Sequence, residues 1–192
     1  KADSAAFTKE DILNPEGWEL LSFLMDSRTG LGRFREFTVS NYQLMMDLID
    51  YCKDHDIDDI LALPDVKERV DLYFKYEVEF KEQLQRCTTI HNNLLIIDYR
   101  EEEIIYPGNR FLVYAMHPDT NISIHTVWGR DKQNVVYSTG KSIINKSSNT
   151  NVGELMLKYG GGGHQAAGGC QPSHEEAPQV LEELIAQINA DG

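Results

Sequence analysis

The chain contains 192 residues, of which 41% are hydrophobic, and it carries a formal net charge of −13 at pH 7. This length provides one hydrophobic core, or a helical segment plus a compact domain. Proteins that bind long nucleic acids neutralise many phosphates with a basic surface, so the acidic composition favours a short nucleotide or oligonucleotide over a duplex or long polyphosphate.

Hydropathy and cysteine usage indicate the cellular compartment. The longest apolar runs, residues 94–97 and 111–116, are far shorter than the ~20 residues that cross a bilayer. No charged and then apolar leader precedes them. The three cysteines, Cys52, Cys87 and Cys170, show no CxxC spacing, which is typical of reduced thiols that serve as packing residues. We therefore expect a cytoplasmic protein with no membrane association.

The first part of the chain predicts helices. Asn14-Pro15 is a typical N-cap followed by proline at the first helical position, and residues 18–25 supply an apolar face. The arginine loop, residues 28–35, then interrupts the helix with two glycines and three arginines. Such a loop can hold phosphate, although loops of this kind more often serve as solvated connectors or partners of acids. Its arginines are Arg28, Arg33 and Arg35.

A capping box indicates the next helix. Ser40 is followed by Gln43 three residues later, and the apolar spacing predicts a helix that runs to about His55. The acidic turn 54–59 does not match a calcium loop, because Asp59 stands where an EF-hand requires glycine. The predicted core stripe of this helix consists of Leu44, Met45, Leu48, Ile49 and Cys52.

A long charged helix is predicted from Asp65 to about Gln85. Because most of its positions are charged, only a narrow apolar stripe remains. We interpret the segment as a linker helix that joins two lobes. Its stripe consists of Val66, Val70, Phe74 and Leu84.

Beyond Cys87 the composition shifts to β-branched residues. The pattern predicts strands at 94–99, 121–128 and 134–138, and it leaves 110–116 ambiguous between helix and strand. Two helices follow, one at 152–158 and one that closes the chain. Strands interleaved with helices predict a mixed sheet flanked by helices, so the expected fold class is α/β (α+β), preceded by the helical segment. The closing helix carries the stripe Val180, Leu181, Leu184, Ile185 and Ile188.

Four consecutive glycines, at 160–163, are followed at once by His164. Glycine backbones can enter positive φ and expose several N–H groups to one anion, and a short helix starting at Gln165 would add its positive N-terminus. This arrangement suits phosphate. The alternative is that the glycines only permit a tight turn and that His164 is a surface residue.

A resemblance makes this interpretation more specific. Residues 161–169, Gly-Gly-Gly-His-Gln-Ala-Ala-Gly-Gly, are similar to the GGGHxxAAG signature of DHHA1, the substrate-binding domain of the DHH family of phosphoesterases. Gly168 takes the place of the second alanine. In that family the loop and its histidine contact substrate phosphate. The resemblance therefore implies substrate contacts from Gly161, Gly162, Gly163 and His164.

Other basic residues are candidates for substrate contact. The segment 138–142 is not a P-loop, since Val135 stands where the first glycine is required. It does resemble a family strand that ends in an Arg-Ser pair, whose places are held here by Lys141 and Ser142. The resemblance implies that this pair assists substrate binding. Arg28, Arg33 or Arg35 of the arginine loop would reach substrate from the other side of a cleft.

The first residues and the segment 14–35 resemble the exopolyphosphatase-related subgroup of the family. Lys1-Ala-Asp-Ser-Ala resembles the end of its metal-binding domain, which makes Asp3 a remnant metal ligand. The DxD and DHH motifs of that domain are absent from this sequence. The resemblance implies three parts: a tail of the DHH domain at 1–64, the linker helix at 65–87 and the DHHA1 domain at 88–192.

By resemblance, the full-length protein is a hydrolase. It would use manganese, held by the missing N-terminal DHH domain, to cleave phosphoester or phosphoanhydride bonds in short oligonucleotides, nucleotides or polyphosphate. This chain alone would bind no metal and would be inactive, while its glycine loop would grip substrate phosphate. The sequence leaves other roles open: a non-catalytic module that binds nucleotides or RNA ends, and a protein-interaction domain. It also leaves open a homodimer.

Overall fold

The computed structural model describes residues 6–34 and 36–192, and the chain divides into two compact units. The helical unit comprises Lys1–Gln83 and Ile104–Leu112, and the sheet unit comprises Leu84–Glu103 and Val113–Gly192. The division of the chain at residues 64 and 87 remains a prediction. Among the described residues, no helix has both the length and the apolar character that a bilayer span requires.

Short and medium-length helices build the helical unit. They are α1 (Lys9–Leu13), α2 (Gly17–Met25), α3 (Asn41–Asp54), α4 (Ile57–Ala62), α5 (Pro64–Lys75) and α6 (Glu77–Cys87), whose last residues belong to the sheet unit. The arginine loop contains two short 3-10 turns, Ser27–Thr29 and Leu31–Arg33. The core consists of the buried side chains Leu20, Leu21, Leu24, Leu31, Leu44, Leu48, Ile60, Val66 and Tyr73.

The start of α2 differs from the prediction. Asn14 ends α1, because its backbone N–H donates to the Glu10 carbonyl at 2.8 Å and its side-chain amide donates to the Glu10 carboxylate at 2.7 Å. Glu16 occupies the N-cap position of α2. The predicted N-cap at Asn14 is therefore wrong, since these bonds satisfy the C-terminus of the preceding helix.

The predicted N-cap of α3 is confirmed. Ser40 Oγ accepts a hydrogen bond from the Gln43 backbone N–H at 3.1 Å. The Gln43 side chain donates to the Asp47 carboxylate at 2.8 Å instead of returning to Ser40, so it does not complete the predicted capping box.

The predicted core stripe of α3 is only partly correct. Leu44 and Leu48 are buried, but Met45 and Ile49 are 42% and 55% exposed and Cys52 is also exposed. The helix therefore packs on a narrower face than its apolar residues indicate, because only the Leu44 and Leu48 side points into the core of the helical unit.

The predicted linker helix is wrong as a single helix. α5 ends at Lys75 and α6 begins at Glu77, and Tyr76 between them has φ −106° and ψ 14°. The Tyr76 ring packs against Phe34 and Tyr106, with ring centroids 5.9 and 5.2 Å away. These tertiary contacts at the junction outweigh the helix propensity of the charged sequence.

A six-stranded sheet with flanking helices forms the sheet unit. Its strands are β1 (Thr88–His91), β2 (Leu94–Asp98), β3 (Ile122–Trp128), β4 (Val135–Lys141), β5 (Gly162–His164) and β6 (Ala167–Cys170). The ambiguous segment is helical, α7 (Leu112–Met116), and it is followed by α8 (Val152–Leu157) and α9 (Ala177–Asp191). The strand order is β1-β2-β3-β4-β6-β5, and β2 and β3 are parallel in an otherwise antiparallel sheet. The predicted fold class is therefore confirmed.

The two faces of this sheet carry different residues. One face, which includes Ile124, Tyr137 and Cys170, packs on α8 and α9. Because successive side chains of a strand point to opposite faces, Ser138 and Gly140 lie on the other face. We use the name open face for seven exposed or half-buried residues of this side that lie on and near the glycine strands: His125, Ser138, Gly140, Gly162, His164, Ala167 and Gly169.

Candidate functional site

The glycine segment forms an edge hairpin, which we call the glycine hairpin (residues 160–170). β5 pairs antiparallel with β6 through a turn at Gln165 and Ala166, and β5 is the outermost strand of the sheet. The predicted short helix at Gln165 is therefore wrong. The chain reverses there because the glycine strands pair with each other and leave no residues for a helical turn.

The first glycines of the hairpin end α8. Gly160 has φ +72°, its N–H donates to the Leu157 carbonyl at 3.2 Å, and the Gly161 N–H donates to the Met156 carbonyl at 3.0 Å. This pair of bonds is a Schellman motif, in which glycine supplies the left-handed residue. Two of the four glycine amides are thus used inside the fold. Of the glycines expected to offer several N–H groups to one anion, Gly161 instead caps α8, and Gly162 and Gly163 belong to an edge strand, in which alternate N–H groups face outward.

Close backbone contacts explain several glycines of the hairpin. A Cβ atom on Gly161 would overlap the Gly169 carbonyl oxygen, and one on Gly168 would lie 2.6 Å from the Gly162 carbonyl oxygen. Gly162 itself has ordinary space, since the nearest atom to a Cβ there is Leu157 Cδ2 at 4.0 Å. The hairpin glycines therefore divide into those required for packing and those that leave room at the surface.

The turn of the hairpin is held at both of its carbonyls. The Lys141 N–H donates to the Ala166 carbonyl at 2.8 Å, and the Val152 N–H donates to the Gln165 carbonyl at 3.1 Å. Gly153 lies directly beneath, because a Cβ there would be 2.8 Å from the Gly163 carbonyl oxygen. The sheet and α8 thus fix the position of the strand that carries His164.

His164 is the exposed titratable side chain at the end of this strand. It pairs with Ala167, which pairs with Gly140, so these three residues form one row across the open face. With strands ~4.8 Å apart, the backbone of His164 lies ~10 Å from that of Gly140. The prediction that His164 is reachable by a ligand agrees with this placement, and its contact with phosphate remains a prediction.

Tyr114 borders the open face where α7 covers the sheet. Its hydroxyl lies 2.6 Å from Ser123 Oγ and donates to the Gly140 carbonyl at 2.6 Å. The row that contains His164 and Gly140 continues to Ser123 on β3. The Tyr114 hydroxyl therefore lies at one end of this row, and His164 lies at the other end.

Sequence reasoning missed Ser138, Gly140 and Tyr114. The predicted strand 134–138 is too short, and β4 in fact extends to Lys141. A predicted strand that continued to Lys141 would have placed Ser138 and Gly140 on one face, because alternate side chains of a strand point to the same side. His125 lies in the same row as Ser138 and Gly169.

Lys141 is turned away from the open face, and Ser142 is buried in the loop after β4. Lys141 follows Gly140 and therefore points to the opposite side of the strand, where its Nζ donates to the Ser148 carbonyl at 3.0 Å. Ser142 is buried, and its Oγ accepts from the Ile144 and Asn145 N–H groups at 3.1 Å each. Both residues hold the loop after β4, and their contact with substrate remains a prediction.

The arginine loop belongs to the helical unit, where an ion pair neutralises part of its positive charge. Arg28 Nε lies 3.4 Å from the Asp26 carboxylate, which also pairs with Arg110 Nε at 2.6 Å. Burial alone would raise the pKa of Asp26, but the hydrogen bonds and charges of Arg110 and Arg28 lower it below its ordinary value. The Arg33 guanidinium lies against Gly30. Contact of Arg28 or Arg33 with substrate remains a prediction.

Two predicted residues lie outside the described residues: Asp3, the expected remnant metal ligand, and Arg35 of the arginine loop. Within residues 6–34 and 36–192, no group of three or more His, Cys, Asp or Glu side chains is placed to hold a metal ion. The manganese that the family resemblance implies therefore does not fit the described residues of this chain.

Two titratable groups beneath the hairpin are held neutral. Burial raises the pKa of the Cys170 thiol to about 11. Burial, together with a hydrogen bond to Glu183 at 2.9 Å, raises the pKa of Tyr159 to about 12. Neither group therefore supplies charge or a nucleophile near neutral pH.

A cavity of about 340 Å³ lies within the helical unit. Its walls include Pro15, Tyr73, Phe80 and Asn109, and none of the predicted site residues lines it. Gly108, which also lines the cavity, donates its N–H to the Thr29 carbonyl of the arginine loop at 3.0 Å.

Comparisons with known proteins identify a relative of high identity. No protein-family model and no curated protein matches this chain. Among solved structures, the chain is similar to the pGpG-specific phosphodiesterase PggH from Vibrio cholerae, with 62% sequence identity over 99% of this chain and a TM-score of 0.85. The chain spans 65% of the length of that relative.

Two other solved structures are more distant. An exopolyphosphatase-related protein from Bacteroides fragilis is 18% identical in sequence, with a TM-score of 0.49. The match covers 76% of this chain and 42% of the Bacteroides chain. The DHH domain of a member of the s1p family of ribosomal proteins is 14% identical in sequence, with a TM-score of 0.46. That match covers 88% of this chain and 41% of the other chain. These two likenesses carry no further conclusion.

Proposed function

Because the chain belongs to the DHH family of phosphoesterases, we propose that it is the substrate-positioning portion of a phosphodiesterase. The observation that carries this proposal is the 62% identity with a pGpG-specific phosphodiesterase over 99% of the chain. That similarity includes the glycine hairpin and the open face, since almost the whole chain is covered. We further propose that the substrate is a short linear dinucleotide of the pGpG type.

Charge and the relative's substrate favour a dinucleotide over the other expected substrates. The net charge of −13 repels long polyanions, whereas a dinucleotide needs only a few local donors. Longer oligonucleotides, mononucleotides and polyphosphate present similar phosphates, so they serve as comparison substrates in the experiment below.

His164 binds a phosphate of the substrate in this proposal. A neutral imidazole donates one hydrogen bond to a phosphate oxygen, and a protonated imidazole adds a positive charge. Any N–H group of β5 that does not pair with β6 supplies a further donor at the same edge. Because the hairpin is fixed by its two turn carbonyls, little conformational freedom is lost when phosphate binds, and the scissile bond is presented in a defined position.

The groups that break the bond belong, in this proposal, to the part of the full-length protein outside this chain. The described residues offer no cluster that fits manganese. We therefore assign manganese binding and the activation of water to that other part, and only binding and orientation of substrate to the glycine hairpin.

The test is hydrolysis of pGpG in the presence of manganese by two proteins: this chain, and the same protein extended through its natural N-terminus. We expect cleavage only by the extended protein, and faster cleavage of pGpG than of a longer oligoribonucleotide or tripolyphosphate. An extended protein that binds pGpG without cleaving it would replace this proposal with a non-catalytic nucleotide-binding module. Cleavage by this chain alone would contradict the assignment of chemistry to the other part.

A further inference from the structure

We propose that Gly140 is a specificity-determining position, above which the nucleoside next to the bound phosphate lies on the open face between Tyr114 and His164. The inference rests on the proposed function and deepens it, because it assigns a part of the substrate to a residue that the glycine signature does not include.

Gly140 has no structural reason to be glycine. Glycine in a strand interior weakens the strand, since it adds chain entropy to the unfolded state and contributes no side chain. Gly140 is not among the residues with positive φ, and a Cβ atom built on it has no neighbour within 4 Å. Neither its backbone conformation nor its packing excludes a larger residue. The empty space above Gly140 is therefore a feature that the fold itself does not require.

The neighbouring glycines show the opposite behaviour. A Cβ on Gly169 would lie 2.6 Å from the Tyr137 carbonyl oxygen, and one on Gly168 would lie 2.6 Å from the Gly162 carbonyl oxygen. Those glycines allow strands to approach each other closely. Gly140, which pairs with Ala167 on the adjacent strand, makes no such approach. Packing thus explains the glycines of β6 and leaves that of β4 unexplained.

The walls of the space at Gly140 are fixed and chemically distinct. At one end, the Tyr114 hydroxyl is bonded to the Gly140 carbonyl and to Ser123 Oγ, each at 2.6 Å, which holds the phenol in place. At the other end, the exposed His164 lies two strand spacings, or ~10 Å, from Gly140. Ser138 offers a hydroxyl in the neighbouring row of the open face.

These walls fit a nucleoside better than a second phosphate. The floor at Gly140 and Ala167 is flat and carries no charge, so a sugar or base can lie against it and bury apolar surface. When a phosphate of the substrate binds at His164, the group attached to that phosphate can lie on this floor. Inorganic polyphosphate has no uncharged group to place there and gains nothing from the space.

The experiment fills the space without disturbing the fold. In the protein extended through its natural N-terminus, Gly140→Val and Gly140→Ala add side chains above the floor. Thr139→Val is the matched control: Thr139 is the preceding residue of β4, points to the opposite face, is 3% exposed and has an Oγ1 without a hydrogen-bond partner in the described residues. Equilibrium binding of pGpG and of tripolyphosphate is measured for each variant, together with the melting temperature.

We expect Gly140→Val to weaken pGpG binding at least about tenfold and to leave tripolyphosphate binding within about twofold of wild type. Gly140→Ala has an intermediate effect on pGpG, Thr139→Val leaves both ligands unchanged, and no Gly140 variant lowers the melting temperature. Gly140→Ala also keeps the test decisive if the valine variant fails to fold.

Unchanged pGpG binding by a folded Gly140→Val or Gly140→Ala protein overturns this inference and leaves the proposed function intact. Equal losses for pGpG and tripolyphosphate also overturn it, because a phosphate subsite would then occupy the space. If the wild-type extended protein binds no pGpG, the proposed function and this inference both fail.

Discussion

The glycine hairpin and the arginine loop both have the composition of a phosphate site, but the fold uses them differently. In the arginine loop, the Arg28 guanidinium and the neighbouring Arg110 share the Asp26 carboxylate. In the glycine hairpin, the His164 imidazole is exposed and has no hydrogen-bond partner among the described residues. The fold thus neutralises part of the positive charge of the arginine loop and leaves the imidazole of the glycine hairpin exposed.

The largest difference is expected in activity. In the extended protein, His164→Ala should lower kcat/KM for pGpG about 10- to 100-fold, because a hydrogen bond to a charged phosphate is lost. Arg28→Ala should change kcat/KM by less than about threefold, since its guanidinium already pairs with Asp26. Initial rates with pGpG measure both values. A loss at Arg28 equal to that at His164 would reverse the comparison and make the arginine loop part of the site.

The second difference concerns glycines within the hairpin. Gly161→Ala should lower the free energy of unfolding by about 1–3 kcal/mol, because the added methyl group overlaps the Gly169 carbonyl oxygen. Gly162→Ala should change it by less than about 0.5 kcal/mol, because its nearest neighbour is 4.0 Å away. Urea unfolding of the two variants gives both numbers. Equal destabilisation would mean that the hairpin glycines cannot be divided into packing and surface positions.

A smaller effect is expected at Lys141, whose ammonium group donates to the Ser148 carbonyl. Lys141→Met should lower the free energy of unfolding by about 0.5–1.5 kcal/mol, which is the usual net contribution of one hydrogen bond. It should leave the dissociation constant of pGpG within about twofold, because the side chain points away from the open face. Urea unfolding and equilibrium binding measure the two quantities. Weaker pGpG binding with unchanged stability would restore Lys141 to the substrate site that its family resemblance implies.

The smallest effect is a pH dependence in the helical unit. The pKa of Asp26 is lowered in the folded protein, so its ionised form stabilises the fold at pH values above the ordinary pKa of about 3.9. This stabilisation is lost as the pH falls through the lower pKa of the folded state. Below about pH 4, a further decrease in pH should therefore lower the free energy of unfolding less in the Asp26→Asn variant than in the wild-type protein. Parallel acid dependences for the two proteins would show that Asp26 does not anchor the arginine loop.

Regular apolar patterns in the sequence predicted most elements of the sheet unit. The stripe of α9 is confirmed, with Val180, Leu184 and Ile188 buried, because a period of 3.6 residues has one dominant interpretation. β1 was not predicted, since its Thr-Thr-Ile-His sequence lacks a clear apolar alternation. The break at Tyr76 also has no local signal, because it depends on contacts with Phe34 and Tyr106 that are distant in sequence.

The candidate site was predictable only in part, because the sequence indicated the glycine segment and His164 but not Ser138, Gly140 or Tyr114. The signature indicated the importance of 161–164, but it could not show that the amides of Gly160 and Gly161 cap α8. Nor could it show the row that joins His164 to Gly140, because that row depends on the register between β4, β6 and β5. Register is a tertiary property, set by which strands pair and by which face is buried.

The most direct test of the central claim is a crystal structure of the extended protein with a non-hydrolysable pGpG analogue. The account predicts a phosphate oxygen within about 3 Å of an imidazole nitrogen of His164, and a nucleoside on the floor formed by Gly140 and Ala167. A phosphate bound elsewhere, with the open face occupied only by water, would contradict the assignment of substrate positioning to the glycine hairpin.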